Sequence, residues 1–408
     1  MERRIQINDL PLEIFAEILL NIDGVSVGRC RRVCKKWKDC IDGNDHIWHA
    51  MCRQEFKFSS QIAKRKAGND CRYYHIYKNL RLWLNITNYD KNVREFFKFS
   101  LHDKSHALDI DYGVLPLKDA RGVVFYDTST LKYIPVAIPD TTCIKIANND
   151  HASVILTKSR LFVQKCVDSN ITSEESFKAE NFVLHGEYLY FYNNRDVFKC
   201  DLTTPSLTPK LIIHCNYCIR EIQYCDKTLH LFTTCGMIVN IKNDYEVSEK
   251  SINCPVAWVK HLKNIYVIND HNFVCYSRHI FKLDTDKYHH LYLEFPPITA
   301  LFFYADIVII GTIAGELLLY RLSSQKKGHL SKPTFETLAI LPRGKFAVQL
   351  DVCERKNGPL IVASTFFDII LIEYNFFPHE EAVKCSFPVN KLTMYKRLLR
   401  LKERMQST

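Results

Sequence analysis

Two hydrophobic rhythms divide the chain. From Leu10 to about residue 90, apolar positions recur at three- and four-residue steps, the period of a helix. From about residue 100 onward the period gives way to short apolar runs that meet across turn residues, the pattern of hairpins. In the first part, Asn8 or Asp9 can cap a helix with Pro11 in its first turn. On that helix Leu12, Ile14, Phe15, Ile18, Leu19 and Ile22 cover one broad arc, while Glu13, Glu17 and Asn21 face away. The arc is wider than the roughly 100° stripe that a surface helix needs. Ser26 is placed to cap a second helix, on which Val27, Cys30, Cys34, Trp37 and Ile41 form one seam. Asp45 is placed to cap a third helix, carrying Trp48, Met51, Cys52 and Phe56.

A unit of about 40 residues buries too little surface to stand alone without a metal, disulfides or a partner. This one displays two tryptophans and a thick aliphatic arc. Part of that surface is therefore expected to belong to another protein; the alternative is that the helices pack on the next domain.

The stretch QIAKRKAGNDC (61–71) is polar and basic and reads as an exposed loop. RYYHIYKNLRLWLNI comes next, with Tyr73, Ile76, Tyr77, Leu80 and Trp83–Leu84 at helical steps. Such a helix would act as a rigid spacer between the N-terminal helices and the strand-rich remainder of the chain.

Seven hairpin patterns then occur: VLPLKDARGVVFYD, SVILTKSRLFVQKC, YLYFYNNRDVFKCDL, TLHLFTTCGMIVNIK, NIYVINDHNFVCYS, IVIIGTIAGELLLYRL and PLIVASTFFDIILIEY. Their mean spacing of roughly 40 residues is the period of a four-stranded propeller blade, in which such a hairpin is the buried middle pair. A seven-bladed propeller over about residues 85–385 is the expectation, with six or eight blades or a pair of sandwiches as alternatives. The repeats are degenerate. Trp-Asp and Gly-His signatures are absent, and glycine totals only 13. Closure of the ring would tie first and last strands together, and KCSFPVN after Glu381 could supply one of them.

Composition narrows the class. With 408 residues, 47% hydrophobic and 25% charged, the chain has ample material for a core and is not of disordered type. No run approaches the ~18 apolar residues of a membrane span. The start, MERRIQINDLP, lacks the apolar stretch of a secretory leader. The 16 cysteines follow no framework of spacings, so reduced and mostly buried thiols and a cytoplasmic or nuclear setting are expected. The net charge of +10 says little by itself.

Candidate chemistry is sparse. His214, Cys215, Cys218 and Cys225 suggest half a zinc site, but no second pair with matching spacing exists and the stretch also reads as strand. His102 and His106 stand at a helical ligand step in polar surroundings and read as a solvated pair. Nucleophile elbows, phosphate loops and paired-glycine fingerprints are absent, and neither a catalytic role, a metal nor a cofactor is expected. The C-terminus forms an amphipathic helix with Met394, Leu398, Leu401 and Met405 on one side, suited to docking on the propeller, with an acidic or membrane surface as the alternative.

The order LPLEIFAEIL, then RRVCKKWKD, then IW resembles the F-box, at several fixed spacings over about a tenth of the chain. Val27 and Gly28 depart from the family's usual Leu-x-x-small pattern, and the glycine weakens that turn by up to about 1 kcal/mol. The resemblance implies binding to the Skp-type adaptor of an SCF-type ubiquitin ligase and, through it, to cullin and RING subunits. It implies that Leu10, Pro11, Ile14, Ile18, Leu19, Val33, Cys34 and Trp37 form the shared core with the adaptor, with Trp48 wedging the third helix against the first two. Arg29, Arg31, Arg32, Lys35, Lys36 and Lys38 then read as a solvated face rather than a nucleic-acid site. The implied organisation is an α-then-all-β multidomain chain: F-box 1–56, helical linker 57–90, substrate-binding propeller 91–390 and basic tail 391–408. Arg160, Arg195, Arg220, Arg278 and Arg343 lie near turns and are candidates for holding a target, which phosphorylation would suit; scattered surface arginines are the bland alternative. An adaptor-binding scaffold outside the ligase, or a basic propeller that binds RNA, are the other function classes.

Overall fold

In the computed structural model, the described residues are 7, 10–68, 71–98, 106–119, 122–138, 142–158, 160–167, 170–225, 227–252, 259–260, 262, 264–267, 273–276, 281–284, 289–292, 297–304, 307–321, 335–374 and 389–407. Six α-helices come first: α1 (Leu12–Leu20), α2 (Gly24–Cys30), α3 (Lys35–Gly43), α4 (Asp45–Glu55), α5 (Lys57–Ala67) and α6 (Tyr73–Leu82), which runs into a 3-10 helix (Trp83–Asn88).

The seam expected of one second helix is divided between α2 and α3. Cys34 takes an extended conformation (φ −157°, ψ 168°) as N-cap of α3. Arg31 explains the break: its guanidinium forks onto Asp42 (Nη2 to Oδ2 2.9 Å) and folds the connection back over the last turn of α3. The caps also sit earlier than the sequence placed them, by three residues in α2 and by one in α4. Asp23, not Ser26, caps α2, accepting from Ser26 N at 3.0 Å while the Ser26 hydroxyl donates to it at 2.6 Å. Asn44 caps α4 through His46 N at 3.1 Å. Asp45 instead accepts from Tyr73 N at 2.8 Å, tying α4 to the start of α6. Pro11 precedes α1 without a side-chain cap, and Asn8 and Asp9 lie outside the described residues.

Residues 61–67 are helix, not loop. The buried stripe of α5 is Ser59, Ser60, Ala63, Lys66 and Ala67, too small and too polar to register as an apolar period. Those short side chains let the helix lie close against strands of the β domain. It ends at Gly68 (φ +71°), where a Cβ would stand 3.0 Å from the Tyr112 backbone.

The described strands form seven antiparallel four-stranded sheets. We number them I to VII: 106–138, 145–177, 181–214, 219–251, 264–292, 298–340 and, with a strand from elsewhere, 349–373. First strands of sheets II to V lie side by side, as do those of VI and VII, and sheet VII meets sheet I: the radial arrangement of a propeller. The fourth strand of sheet VII is Asn92–Lys98, which pairs with Asp368–Glu373 and closes the ring. The closing strand thus comes from before sheet I. Of the stretch KCSFPVN, Val389 and Asn390 begin the C-terminal helix and the rest lies outside the described residues.

Six of the seven hairpins are central pairs. NIYVINDHNFVCYS is instead the first and second strands of sheet V. Central strands are covered on both faces, which is why Gly358–Ser364 and Asp368–Glu373 are buried at every position. The outer strand Glu246–Ser251 is charged and exposed, as an unpaired edge requires.

Helix α7 (Val389–Ser407) packs between sheets I and II. Met394, Leu398 and Leu401 join a cluster with Phe125, Ile138, Ile155 and Phe162. Arg397, buried, donates to the Asn149 carbonyl at 2.7 Å. No helix among the described residues is long and apolar enough to cross a membrane.

Candidate functional site

The sheet order divides the ring into two ends. Loops joining first to second and third to fourth strands share one face; loops joining second to third strands, and each sheet to the next, share the other. The arm of α5, α6 and the 3-10 helix meets the ring at the first of these, the near face. Ser59 Oγ donates to the Tyr304 carbonyl at 2.9 Å, and Tyr112 N and Gly113 N donate to the Arg65 and Lys66 carbonyls at 3.1 and 2.7 Å. Asn79 donates to the Arg355 carbonyl at 2.8 Å, and Trp83 Nε1 donates to Glu354 Oε1 at 2.7 Å. Arg321 holds the Trp83 carbonyl and forks onto Glu336 (Nε to Oε1 2.8 Å), which Thr87 also meets at 2.9 Å. Lys66 enters the ring and pairs with buried Asp351 at 2.6 Å.

At the joint, burial pushes the Glu354 carboxyl up to about 7 and the Cys353 thiol up to about 11. A thiol held that high is an inert small hydrophobe; of the twelve cysteines with described side chains six are buried, while Cys218 and Cys235 are exposed.

At the outer end of the arm, α1 to α4 build a small core from Phe15, Leu19, Val27, Ile41, Ile47, Trp48, Met51 and Cys52. Phe15 leans on Trp37 with centroids 4.6 Å apart, and Trp48 Nε1 donates to the Ile41 carbonyl at 3.1 Å while its ring meets Tyr74 and Tyr77. Above this core, Ile14 (49% exposed), Ile18 (40%) and Val33 (62%) stand in solvent. Pro11 is exposed beside them; Leu10, Cys34 and Trp37 are half-buried; Leu19 and Trp48 lie beneath, in the core. Ile7, Leu10, Leu12, Phe15, Lys36 and Trp37 line a shallow cleft on the same unit. With Ile7 and Leu12, five large aliphatic side chains of this small domain are exposed to solvent, an unusual amount of bare apolar surface for its size.

The arginines singled out in the sequence are unequal. Arg160, Arg195 and Arg343 are exposed on the far face, in the loops of sheets II and III and in the connection from VI to VII. Arg160 reaches Ser176 Oγ at 3.0 Å, and Arg195 Nη2 lies 3.7 Å from Cys218 Sγ. Arg220 is committed to the fold, donating to the carbonyls of Val259 (3.1 Å) and Leu262 and so bracing sheet IV against the connection to sheet V. Arg278 lies outside the described residues, as does His102; His106 is in the first strand of sheet I. Of the zinc candidates, the exposed His214 ring pairs with Asp196 at 2.7 Å and Cys215 is buried.

Sequence reasoning missed a second apolar patch. Phe366 (49% exposed) and Phe367 (45%) occupy the turn between the central strands of sheet VII. Phe346 packs edge-on against Phe366, centroids 5.6 Å apart at 89°, and exposed Ile313 stands in the corresponding turn of sheet VI. The signal was present in the sequence STFFDII: a tight turn takes Gly, Asn, Asp or Ser, and two phenylalanines there serve something other than the turn.

A helical unit with an unfinished apolar face, fixed through a rigid arm to one mouth of a ring of four-stranded sheets, defines a two-ended interaction protein. Residues 7–54 match the family model described as F-box-like, so the chain carries an F-box-like domain followed by a β-propeller. Such modules are typically non-catalytic, and F-box domains generally bind Skp-type adaptors. Among solved structures, the chain is similar to the WD40 domain of Pan2 from Neurospora crassa (10% identity, 68% of this chain and 91% of that one, TM-score 0.49). It is also similar to the β-propeller domain of Cps50 (Swd1) from Myceliophteria thermophila (12%, 69% and 99%, 0.48) and the WD40 β-propeller domain of Doa1 (9%, 73% and 100%, 0.48). No curated protein matches the sequence.

Proposed function

We propose that the chain is a substrate receptor of an SCF-type ubiquitin ligase, working in the cytoplasm or nucleus. In this reading Leu10, Pro11, Ile14, Ile18, Val33, Cys34 and Trp37 meet a Skp-type adaptor, with Leu19 and Trp48 supporting them from the core. The propeller holds a target on its far face. The chain supplies no reacting group. Its contribution is proximity, because a target lysine held near a loaded conjugating enzyme has a raised effective concentration.

The exposure of Ile14, Ile18 and Val33 above a packed core is the observation that carries the reading. The rigid arm supports it, because a joint of buried ion pairs and hydrogen bonds would keep the two ends at one separation.

The test is co-purification with a Skp-type adaptor, then with cullin and RING subunits, followed by ubiquitin transfer to a bound partner. Ile14→Glu with Val33→Glu should abolish adaptor binding, each desolvated contact being worth about 2 kcal/mol or more, and leave the helical signal intact. Adaptor binding without cullin would support a scaffold instead. No adaptor binding by the wild-type chain would end the reading.

A further inference from the structure

We propose that the far face of the propeller takes an acidic polypeptide segment anchored by bulky apolar side chains, seated on the Phe346–Phe366–Phe367 patch. The proposal deepens the receptor reading and rests on it for the occupant being a target protein. The near face is covered by the arm over sheets I, VI and VII, so the far side of sheets VI and VII is the open end opposite the adaptor-facing unit.

The patch is rigid. Thr365 locks the turn that carries the two phenylalanines: its hydroxyl accepts from Phe367 N at 3.2 Å and Asp368 N at 2.9 Å. Gly315 (φ +83°) lets the Ile313 turn abut the Phe346 loop, where a Cβ would stand 2.5 Å from the Lys345 carbonyl. Leu341 N donates to the Gly315 carbonyl across the same junction at 2.8 Å. Exposed aromatic rings held this firmly lose little freedom on binding, which is what an anchor site needs.

Charge specifies the rest of the occupant. In the described far-face loops the exposed cations are Lys158, Arg160, Lys178, Arg195, Lys260 and Arg343, against the single exposed acid Glu180. At the patch itself both nearby carboxylates are engaged by Lys345, which pairs with Asp368 at 2.8 Å and with Glu95. Arg343, in the loop that carries Phe346, and Lys98, which stands opposite Asp368 and reaches Glu95 at 2.9 Å, are the exposed cations near the patch among the described residues. Apolar anchors suit the rings, and carboxylates suit the surrounding cations. A nucleic-acid strand fits less well. Two carboxylates lie under the patch, the cations are spread over separate sheets, and the rings are packed edge-on rather than offered as a stacking ladder.

The full-length chain is tested by fluorescence anisotropy against four labelled probes. They are a Glu/Asp-rich peptide with two Leu/Phe anchors, the same peptide with the anchors changed to Ser, a Lys-rich peptide with the anchors kept, and a single-stranded RNA of similar length. The anchored acidic peptide should bind best. Phe366→Ser with Phe367→Ser should weaken it about tenfold or more. Arg343→Glu should weaken it less and reduce the salt dependence. Circular dichroism and adaptor binding, which should not change in these variants, separate a failure of this proposal from a failure of the receptor reading. Equal binding of the anchorless peptide, tighter binding of RNA, indifference to the phenylalanine variants, or no peptide binding by the folded chain would each overturn it.

Discussion

The indole N–H of Trp83, at the end of the arm, donates to Glu354 at the near end of the first strand of sheet VII, 2.7 Å away. Tyr304 donates to the same oxygen at 3.2 Å. One carboxyl therefore receives the arm, the first strand of sheet VII and the neighbouring loop of sheet VI.

That carboxyl makes the joint sensitive to pH. Burial raises Glu354 from an ordinary 4.5 to about 7, against the pull of its hydrogen bonds. Its other oxygen is buried without a hydrogen-bond donor among the described residues, so the neutral, protonated carboxyl is favoured there. Because the folded pKa lies above the unfolded one, the folded state holds this proton more tightly. The stabilisation is full below about pH 4.5 and is lost as pH rises toward 7. The shift corresponds to on the order of 3 kcal/mol at most. Glu354→Gln should flatten urea-unfolding stability over roughly pH 5–8, the range in which the wild type declines. Asp351, also raised by burial, should leave a residual slope. An unchanged profile in the variant would show that Glu354 is ionised throughout.

The Lys66–Asp351 pair should behave as a buried ion pair. Lys66 is the one long side chain in the small-residue stripe of α5, and its Nζ also donates to the Ile110 carbonyl at 3.2 Å. Asp351 Oδ2 accepts from Ile110 N at 2.6 Å. Lys66→Met strands the carboxylate and should cost about 3–5 kcal/mol. Adding Asp351→Leu should recover part of the loss but not all, since Ile110 N then lacks its acceptor. A double-mutant cycle by urea denaturation measures the coupling. Additive losses would mean the two groups do not stabilise each other.

The pair also shows what could be read from the sequence and what could not. The apolar arc of α1, the hairpin runs and the α6 stripe of Ile76, Tyr77 and Leu80 were legible because the side chains that carry them are large and periodic. Helix α5 was not, because Ser59, Ala63 and Ala67 are buried by virtue of being small and Lys66 by meeting a carboxylate some 285 residues later, a long-range match that no local window contains. The split between α2 and α3 had the same cause: Val33 and Cys34 continue the apolar spacing, and only the Arg31–Asp42 pair reveals the fold-back. On the far face the arginines drew notice by their charge, whereas Phe366 and Phe367 read only as the turn of one more hairpin, and nothing local shows that Phe346 from the preceding loop meets them.

Ring closure should depend on residues before sheet I. Asn92–Lys98 forms the fourth strand of sheet VII, and Arg94 adds an ion pair to Glu373 at 2.7 Å, which Arg355 also holds at 2.9 Å. A fragment beginning at residue 100 lacks that strand and exposes the third strand of sheet VII, every position of which is apolar or ion-paired. It should aggregate or be cut rapidly by protease. A fragment beginning at residue 57 keeps both the strand and the arm and should unfold cooperatively. Equal protease resistance of the two would show that closure does not need the strand.

Gly24 and Tyr77 set the angle between the F-box-like unit and the arm. A Cβ at Gly24 would stand 2.3 Å from the Tyr77 Cζ and Oη atoms, and the Tyr77 hydroxyl and Gly24 N both donate to Glu55, at 3.0 and 2.9 Å. The first turn of α2 is thus pressed onto α6 with room for hydrogen alone. Gly24→Ala must push the ring aside and break one or both bonds to Glu55, at a cost of about 1–3 kcal/mol. Tyr77→Leu alone also loses the hydroxyl bond, but it clears the space. Gly24→Ala combined with Tyr77→Leu should therefore be no less stable than Tyr77→Leu alone, whereas Gly24→Ala in the wild-type background should lower the melting temperature by several degrees, about what that free energy implies. A glycine substitution equally costly in both backgrounds would locate the penalty in the α2 backbone and not in the contact with Tyr77.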